Sequence, residues 1–323
     1  MISVVVPVYK NSDTITALLQ SFADVSAKLD DTLEVVFVVD GSPDDSYERL
    51  RDGLPGQPFR AQLLKLSRNF GSFAAIRAGL EAAKGQTFAV LAADLQEPPD
   101  LVLEFSRRLR AGDTDIVIGS RVSRADPLFS RLSARLFWST YRRWIQRDIP
   151  PGGVDVFACS QQVRDEILKL GESNSSLIGL LFWVGFRRAL CPYHRRPRPS
   201  GRSAWTFAKK MRYLSDSVFN FTDLPVRMLF WIGCLGTVGS LAGGAAVLIA
   251  KLMGRVPVAG YTATVLTIVF FGALNCLGLG IIGGYVWRTL ENTKHRPNYL
   301  VASRTIFGGA TTDAIHEASS GDR

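Results

Sequence analysis

The chain is predicted to be an α/β protein, a mostly parallel sheet with helices on both faces, followed by interfacial helices and a two-helix transmembrane hairpin. Three observations point there. Apolar strands alternate with helical segments through the first 120 residues, the order that gives a parallel sheet joined by crossover helices. Two runs, Met228 to Ala250 and Val256 to Trp287, contain no charged residue. Much of the net charge of +9 lies between Arg121 and Arg227, just before those runs.

Strands are expected at Ile2–Pro7, Leu33–Val39, Ala61–Leu66, Thr87–Leu91 and Asp115–Ile118. Helices are expected near 14–28, 44–52, 72–83 and 99–111. The turn after the second strand reads Asp40-Gly41-Ser42-Pro43, with Asp44 and Asp45 leading into the next helix. Residues 128–147 read as a helix for the membrane surface: Arg131, Arg135 and Arg142 share a face, and Leu132, Leu136, Phe137, Trp138, Tyr141 and Trp144 supply apolar area. An amphipathic helix packed on protein has the same pattern. Residues 206–226, with Phe207, Met211, Leu214 and Val218, read similarly.

Each uncharged run reaches the ~20 residues that cross a hydrocarbon core as a helix. Spans are expected at about 228–250 and 262–287, with Gly233, Gly236, Gly239, Gly243 and Gly244 allowing close helix packing in the first. Arg227 precedes the pair, and Arg288, Lys294 and Arg296 follow it, although Lys251 and Arg255 sit in the connecting loop. That balance favours both ends inside. The start Ile2 to Val8 is too short for a signal peptide and lacks a basic lead. Residues 1–225 are therefore expected to form a cytoplasmic domain, with 288–323 a cytoplasmic tail that is disordered from about Gly308. A fragment ending at Arg227 is expected to fold and bind nucleotide on its own. Basic charge placed against a membrane suits lipid headgroups and phosphates and argues against nucleic acid. The four cysteines show neither metal spacing nor a disulfide framework.

Open α/β sheets bind ligands beyond the carboxyl ends of their strands. Four elements converge on that edge here: Pro7-Val8-Tyr9, Asp40, Leu66 to Gly71 with Arg68, and Asp94 with Gln96 in Leu91 to Asp100. A carboxylate with a second oxygen ligand two residues on suits a hard divalent cation bridging phosphates. Asp40 can accept from the ring N–H of uracil or guanine. Singly, each residue has an ordinary role: Asp94 can cap the helix starting near Pro99, Asp40 can be a turn residue, and Arg68 a solvated cation. All four in strand order argue for a site that holds a metal-bridged diphosphate flanked by a base.

VVVPVYKNSDTI, VVDGSPDDS, LSRNFG, ADLQEPP, the VIGSR segment and RPRPSGRSAW together resemble family 2 glycosyltransferases of GT-A fold, a Rossmann-like architecture. The resemblance is nearer to the polyprenyl-phosphate group, and it covers Ile2 to Tyr299. It implies an inverting transfer of a hexose-like group from a UDP- or GDP-sugar to a polyprenyl phosphate, with Mg2+ or Mn2+ as cofactor. Pro7, Tyr9, Asp40, Arg68, Asp94, Gln96 and Arg121 would meet the nucleotide sugar, with Asp94 and Gln96 on the metal. Arg131, Arg198 and Ser203 would take the acceptor phosphate. Asp155 falls where the group carries a proposed base, so Asp94 and Asp155 are the expected catalytic residues. Self-association is compatible with the resemblance, with no feature fixing a number.

The chain departs from the pattern at four places. Ala92 stands where a first metal-side carboxylate is common, Val39 where an Asp precedes the DGS aspartate, Phe157 where an Arg is usual, and Ala204 where a basic residue often follows Ser203. The loss at Ala92 leaves open a shift of duty to Glu97. It also leaves open transfer to another lipid or glycan, or a nucleotide-sugar-binding membrane protein without turnover.

Overall fold

The structure is a computed structural model that describes residues 1–121, 149–150, 154–172, 176–196, 218–219, 222, 224–253, 260–308 and 315–316. Strands β1 (Ile2–Val8), β2 (Leu33–Val39), β3 (Arg60–Leu66), β4 (Thr87–Val90) and β5 (Ile116–Arg121) alternate with α1 (Ile15–Lys28), α2 (Ser46–Gly53), α3 (Ser72–Ala82) and α4 (Leu101–Ala111). After these come β6 (Phe157–Ser160), α5 (Gln161–Lys169), α6 (Leu177–Trp183) and β7 (Arg188–Tyr193). Two long helices follow, α7 (Leu224–Leu252) and α8 (Tyr261–Thr293), and then β8 (Val301–Phe307) and β9 (Ile315–His316). The chain divides into two compact units, Met211–Arg296 and the remainder.

In the larger unit the sheet runs β7-β5-β6-β4-β1-β2-β3-β8-β9. β1 is parallel to both β2 and β4, so the strand order reverses beside it, and the crevice beyond the ends of β1 and β4 is where such sheets bind ligands. Every residue of β2 is buried, as a central strand covered on both faces requires. On one face, Ile15, Leu18, Phe22 and Val25 of α1 recur at helical spacing and pack with Phe105 of α4 against Val4, Val6 and Phe37. Phe22 meets Phe37 edge-on with centroids 6.1 Å apart. On the other face, α3 lies so close that a Cβ at Gly79 would fall 2.2 Å from Val5. The guanidinium of Arg77 donates to the carbonyls of Ile167, Leu168 and Leu170, closing the C-terminus of α5.

Four strands, β6 to β9, are absent from the sequence-based expectation. β6 lies antiparallel between β4 and β5, pairing Val90 with Phe157 and Ile118 with Phe157. At four residues it is too short to show a period. β8 corrects the expected tail: Val301–Phe307 pairs antiparallel with β3, from Ala61 opposite Phe307 to Leu66 opposite Val301. A row of buried polar groups fixes this docking. Arg304 donates to Gln62 Oε1 at 2.8 and 3.0 Å, and Gln62 Nε2 donates to Glu34 Oε1 at 2.7 Å. Glu34 in turn accepts from the Ser3 hydroxyl and from the Lys84 amide at 2.8 Å.

In the smaller unit, α7 and α8 occupy the two uncharged runs, each extending beyond the expected bounds. Among the described residues one stretch, Phe270–Thr293, is long and apolar enough to cross a membrane, and Leu224–Gly236 is a shorter apolar stretch. One stretch among the described residues therefore meets the length and apolarity expected of a span, where two were expected. Of the glycines expected to allow close packing, a Cβ on Gly236 would sit 3.6 Å from Phe271, whereas Gly233, Gly239 and Gly243 face open space. Residues 128–147 and most of 206–226, expected as interfacial helices, lie outside the described residues.

Candidate active site

The loops beyond β1, β2 and β3 are tied to one another by side-chain-to-backbone bonds. The Lys10 amide donates to Ser42 Oγ at 2.8 Å, Asn11 to Ser46 Oγ at 3.2 Å and Ser12 to Asp44 Oδ2 at 3.1 Å. Burial works against the Asp44 carboxylate, but hydrogen bonds from Ser42, Ser46 and the Ser12 amide outweigh it and hold its pKa at about 2. The alternation Ser42, Asp44, Ser46 was the signal for this clasp, which the sequence reading treated only as a helix start. Pro7 is half-buried within β1, and Tyr9 just beyond it is 37% exposed.

Asp40, 3% exposed, accepts from the amides of Phe70 at 2.7 Å and Gly71 at 2.8 Å. Burial pushes its carboxyl up, and those two amides oppose it. Each oxygen already has one donor, so a base N–H would have to share an oxygen with the backbone. Gly41, at φ +56°, lets this loop lie against the next one: a Cβ there would fall 2.4 Å from the Arg68 and Asn69 backbone. Gly41→Ala is expected to cost about 3 kcal/mol from overpacking and left-handed strain together. A wild-type thermal midpoint in detergent would contradict this. Arg68 is exposed and stacks on the Phe70 ring, with its guanidinium carbon 4.0 Å from the centroid.

Beyond β4 the backbone turns sharply. Leu95 adopts φ +56°, a left-handed conformation that is costly for a branched residue and places Asp94 and Gln96 on one turn. The Gln96 amide donates to Asp94 Oδ1 at 3.3 Å. Gln96 Oε1 accepts from Arg195 Nη2 at 2.7 Å, so the oxygen expected on a metal is engaged by a guanidinium here. The Glu97 side chain is 0% exposed, lies 3.3 Å from Arg195 Nε, and has no hydrogen-bond partner at either oxygen among the described residues. Burial first, then the neighbouring Asp94 charge, pushes the Glu97 carboxyl up.

Register assembles the third cluster. β7 runs parallel to β5 with Tyr193 opposite Arg121, and the Gly119 amide continues the β5–β6 ladder by donating to Val156 at 3.0 Å. Asp155 therefore arrives between them. Arg121 makes an ion pair with Asp155 Oδ2, and the Tyr193 hydroxyl donates to the same oxygen at 3.2 Å. Tyr193 and Arg195 were not anticipated; their signal was the dense basic run His194 to Arg198 directly after a strand.

The structure thus groups Pro7, Tyr9, Asp40, Arg68, Asp94, Gln96, Arg121 and Asp155 along one sheet edge. Arg131, Arg198 and Ser203 lie outside the described residues. Among the described residues no three His, Cys, Asp or Glu side chains converge as a ready-made metal cage. Asp94 still suits a hard cation that takes one or two carboxylates and completes its shell with substrate phosphates and water.

The chain is similar to several known proteins. An uncharacterised glycosyltransferase of Synechocystis sp. is 32% identical over 302 residues, covering 93% of this chain and 94% of the relative. The bactoprenol glucosyl transferase of Shigella phage SfV is 29% identical over 301 residues, covering 93% and 97%. Among solved structures, glucosyl-3-phosphoglycerate synthase from Mycobacterium tuberculosis with UDP aligns at a TM-score of 0.48 and 20% identity, over 68% of this chain and 79% of that one. The family model for glycosyl transferase family 2 matches residues 3–169, the segment holding β1 to α5 and nearly every residue of the cluster just described. The chain is a glycosyltransferase and belongs to glycosyl transferase family 2.

Proposed function

We propose that the chain transfers a hexose-like group from a UDP- or GDP-sugar to a polyprenyl phosphate at the cytoplasmic face of a membrane, with inversion. The observation that carries this reading is the end-to-end likeness to a bactoprenol glucosyl transferase, which spans the apolar helices as well as the sheet. The membrane part draws support from Phe270–Thr293, whose 24 residues reach about 36 Å as a helix against a ~30 Å hydrocarbon core. Strand β8 adds a parity argument. A chain that crosses once after β7 would end on the far side, where β8 could not pair with β3. An even number of crossings satisfies the pairing, and two spans supply it.

An acceptor phosphate oxygen attacks the anomeric carbon from the face opposite the nucleotide. Its bond to carbon forms as the bond to the diphosphate oxygen breaks, and the nucleoside diphosphate leaves with that electron pair. A phosphate monoester is already largely ionised at neutral pH, its second pKa lying near ~6. The reaction therefore needs alignment and charge compensation more than proton abstraction. Asp155, bound by Arg121 and Tyr193, fits the orienting role: it fixes a guanidinium beside the reacting phosphates. A divalent cation, Mg2+ or Mn2+, held by Asp94 would neutralise charge on the leaving diphosphate.

Purified protein incubated with a panel of UDP- and GDP-sugars and undecaprenyl phosphate tests the reading directly. Sugar should enter the lipid fraction with one donor, and no incorporation from any donor would overturn it. In the same assay Asp155→Asn, which keeps shape but removes charge, should slow transfer about 10- to 100-fold while donor binding persists. Near wild-type turnover by that variant would remove Asp155 from the transfer step.

A further inference from the structure

Arg195 and Glu97 form a pair that the transfer reaction as described does not use. Glu97 follows the donor-side turn directly, and its carboxylate is fully enclosed with no hydrogen-bond partner at either oxygen among the described residues. The Asp94 carboxylate and the Arg195 and Arg121 guanidinium groups all act on it, and Arg195 Nε is 3.3 Å away while its Nη2 donates to Gln96 at 2.7 Å. The backbone repeats the link, with the Arg196 amide donating to the Gln96 carbonyl at 2.8 Å. Two residues further along begins the segment Arg198 to Ser203, where the acceptor-phosphate contacts are expected.

We propose that Glu97 is a positioning residue: its buried carboxylate orients Arg195, and the Glu97–Arg195–Gln96 clasp fixes the backbone at Arg195 and Arg196, just after β7, to the donor-side turn. The proposal rests on the transfer reading and deepens it. A carboxylate enclosed against a guanidinium has little room for a cation, so Glu97 does not replace the carboxylate missing at Ala92. The planar fork of Arg195 meets Glu97 and Gln96 at once, which a lysine ammonium cannot reproduce.

The test uses the full chain in detergent with Glu97→Gln, Arg195→Ala, Arg195→Lys and the double variant Glu97→Gln/Arg195→Ala. Glu97→Gln and Arg195→Ala should each raise the polyprenyl-phosphate KM about 10- to 100-fold, and the double variant should be no worse than either alone. Arg195→Lys should fall between them and wild type. Calorimetric titration with Mn2+ and UDP should give wild-type affinities in Glu97→Gln. Weaker Mn2+ binding in Glu97→Gln alone would make Glu97 a metal ligand and overturn the proposal, as would additive losses in the double variant.

A readout free of turnover separates this proposal from the transfer reading. Limited trypsin digestion should cut the Arg195–Arg196 bond several-fold faster in Glu97→Gln than in wild type, whether or not any lipid acceptor is used. Unchanged cleavage would overturn the clasp. Because breaking a buried pair can prevent folding, Glu97→Met/Arg195→Met serves as the packed, uncharged control. It should fold and still show the raised KM, and a wild-type KM in that variant would also overturn the proposal.

Discussion

Asp94→Ala is expected to abolish sugar transfer and metal-supported donor binding together. With alanine at position 92, this turn has no second carboxylate facing the diphosphate, and Glu97 is enclosed with Arg195. Gln96 Oε1 accepts from Arg195 Nη2, so it cannot compensate without breaking that bond. A Lewis-acid contact to a leaving phosphate supplies several kcal/mol, and about 4 kcal/mol corresponds to roughly 10³-fold in rate. Calorimetry that finds nucleotide-sugar affinity and metal dependence unchanged in the variant would refute the assignment. The complementary change, Ala92→Asp, adds a carboxylate on the same strand end and should tighten Mn2+ binding.

The parts of this molecule that sequence made legible are those whose cause is local. β1 to β4 announce themselves through apolar runs ended by turn residues, because each is buried on both faces by the helices beside it in sequence. Asp40 and Asp94 are legible for the same reason, since a carboxylate at the end of a buried strand has few places to point. What stayed hidden depends on partners far apart in the chain. The pairing of Asp155 with Arg121 and Tyr193 stayed hidden because it depends on β6 running antiparallel between β4 and β5. The hydrogen bond between Gln96 and Arg195 was hidden as well, since the two lie 99 residues apart. β8 was missed because its register is chosen by β3 and not by its neighbours. Its period is also blurred by small residues, Ala302 and Ser303, where a buried strand would normally show bulk.

Removing β8 should therefore have a larger effect than its position near the C-terminus suggests. A fragment ending at Arg227 keeps every strand up to β7, and on sequence grounds it should fold alone. The structure predicts the opposite. Without Val301–Phe307, β3 becomes an open edge carrying unpaired backbone groups along Ala61 to Leu66, which invites pairing with other chains. Gln62 Oε1 loses the Arg304 guanidinium inside a buried row that runs through Glu34 to Ser3, and a buried polar group left without its partner costs about 1–3 kcal/mol. Thr305 and Phe307, both buried, leave their packing as well. The expected result is a fragment that aggregates or unfolds on purification and does not bind UDP. Joining residues 297–308 to its end through a flexible linker should restore a cooperative thermal transition and nucleotide binding, without either long helix. Arg304→Ala in the full chain should reproduce part of the loss as a lowered thermal midpoint. A soluble, UDP-binding fragment that lacks β8 would show instead that the sheet is complete at β3 and that the strand after the apolar helices is dispensable.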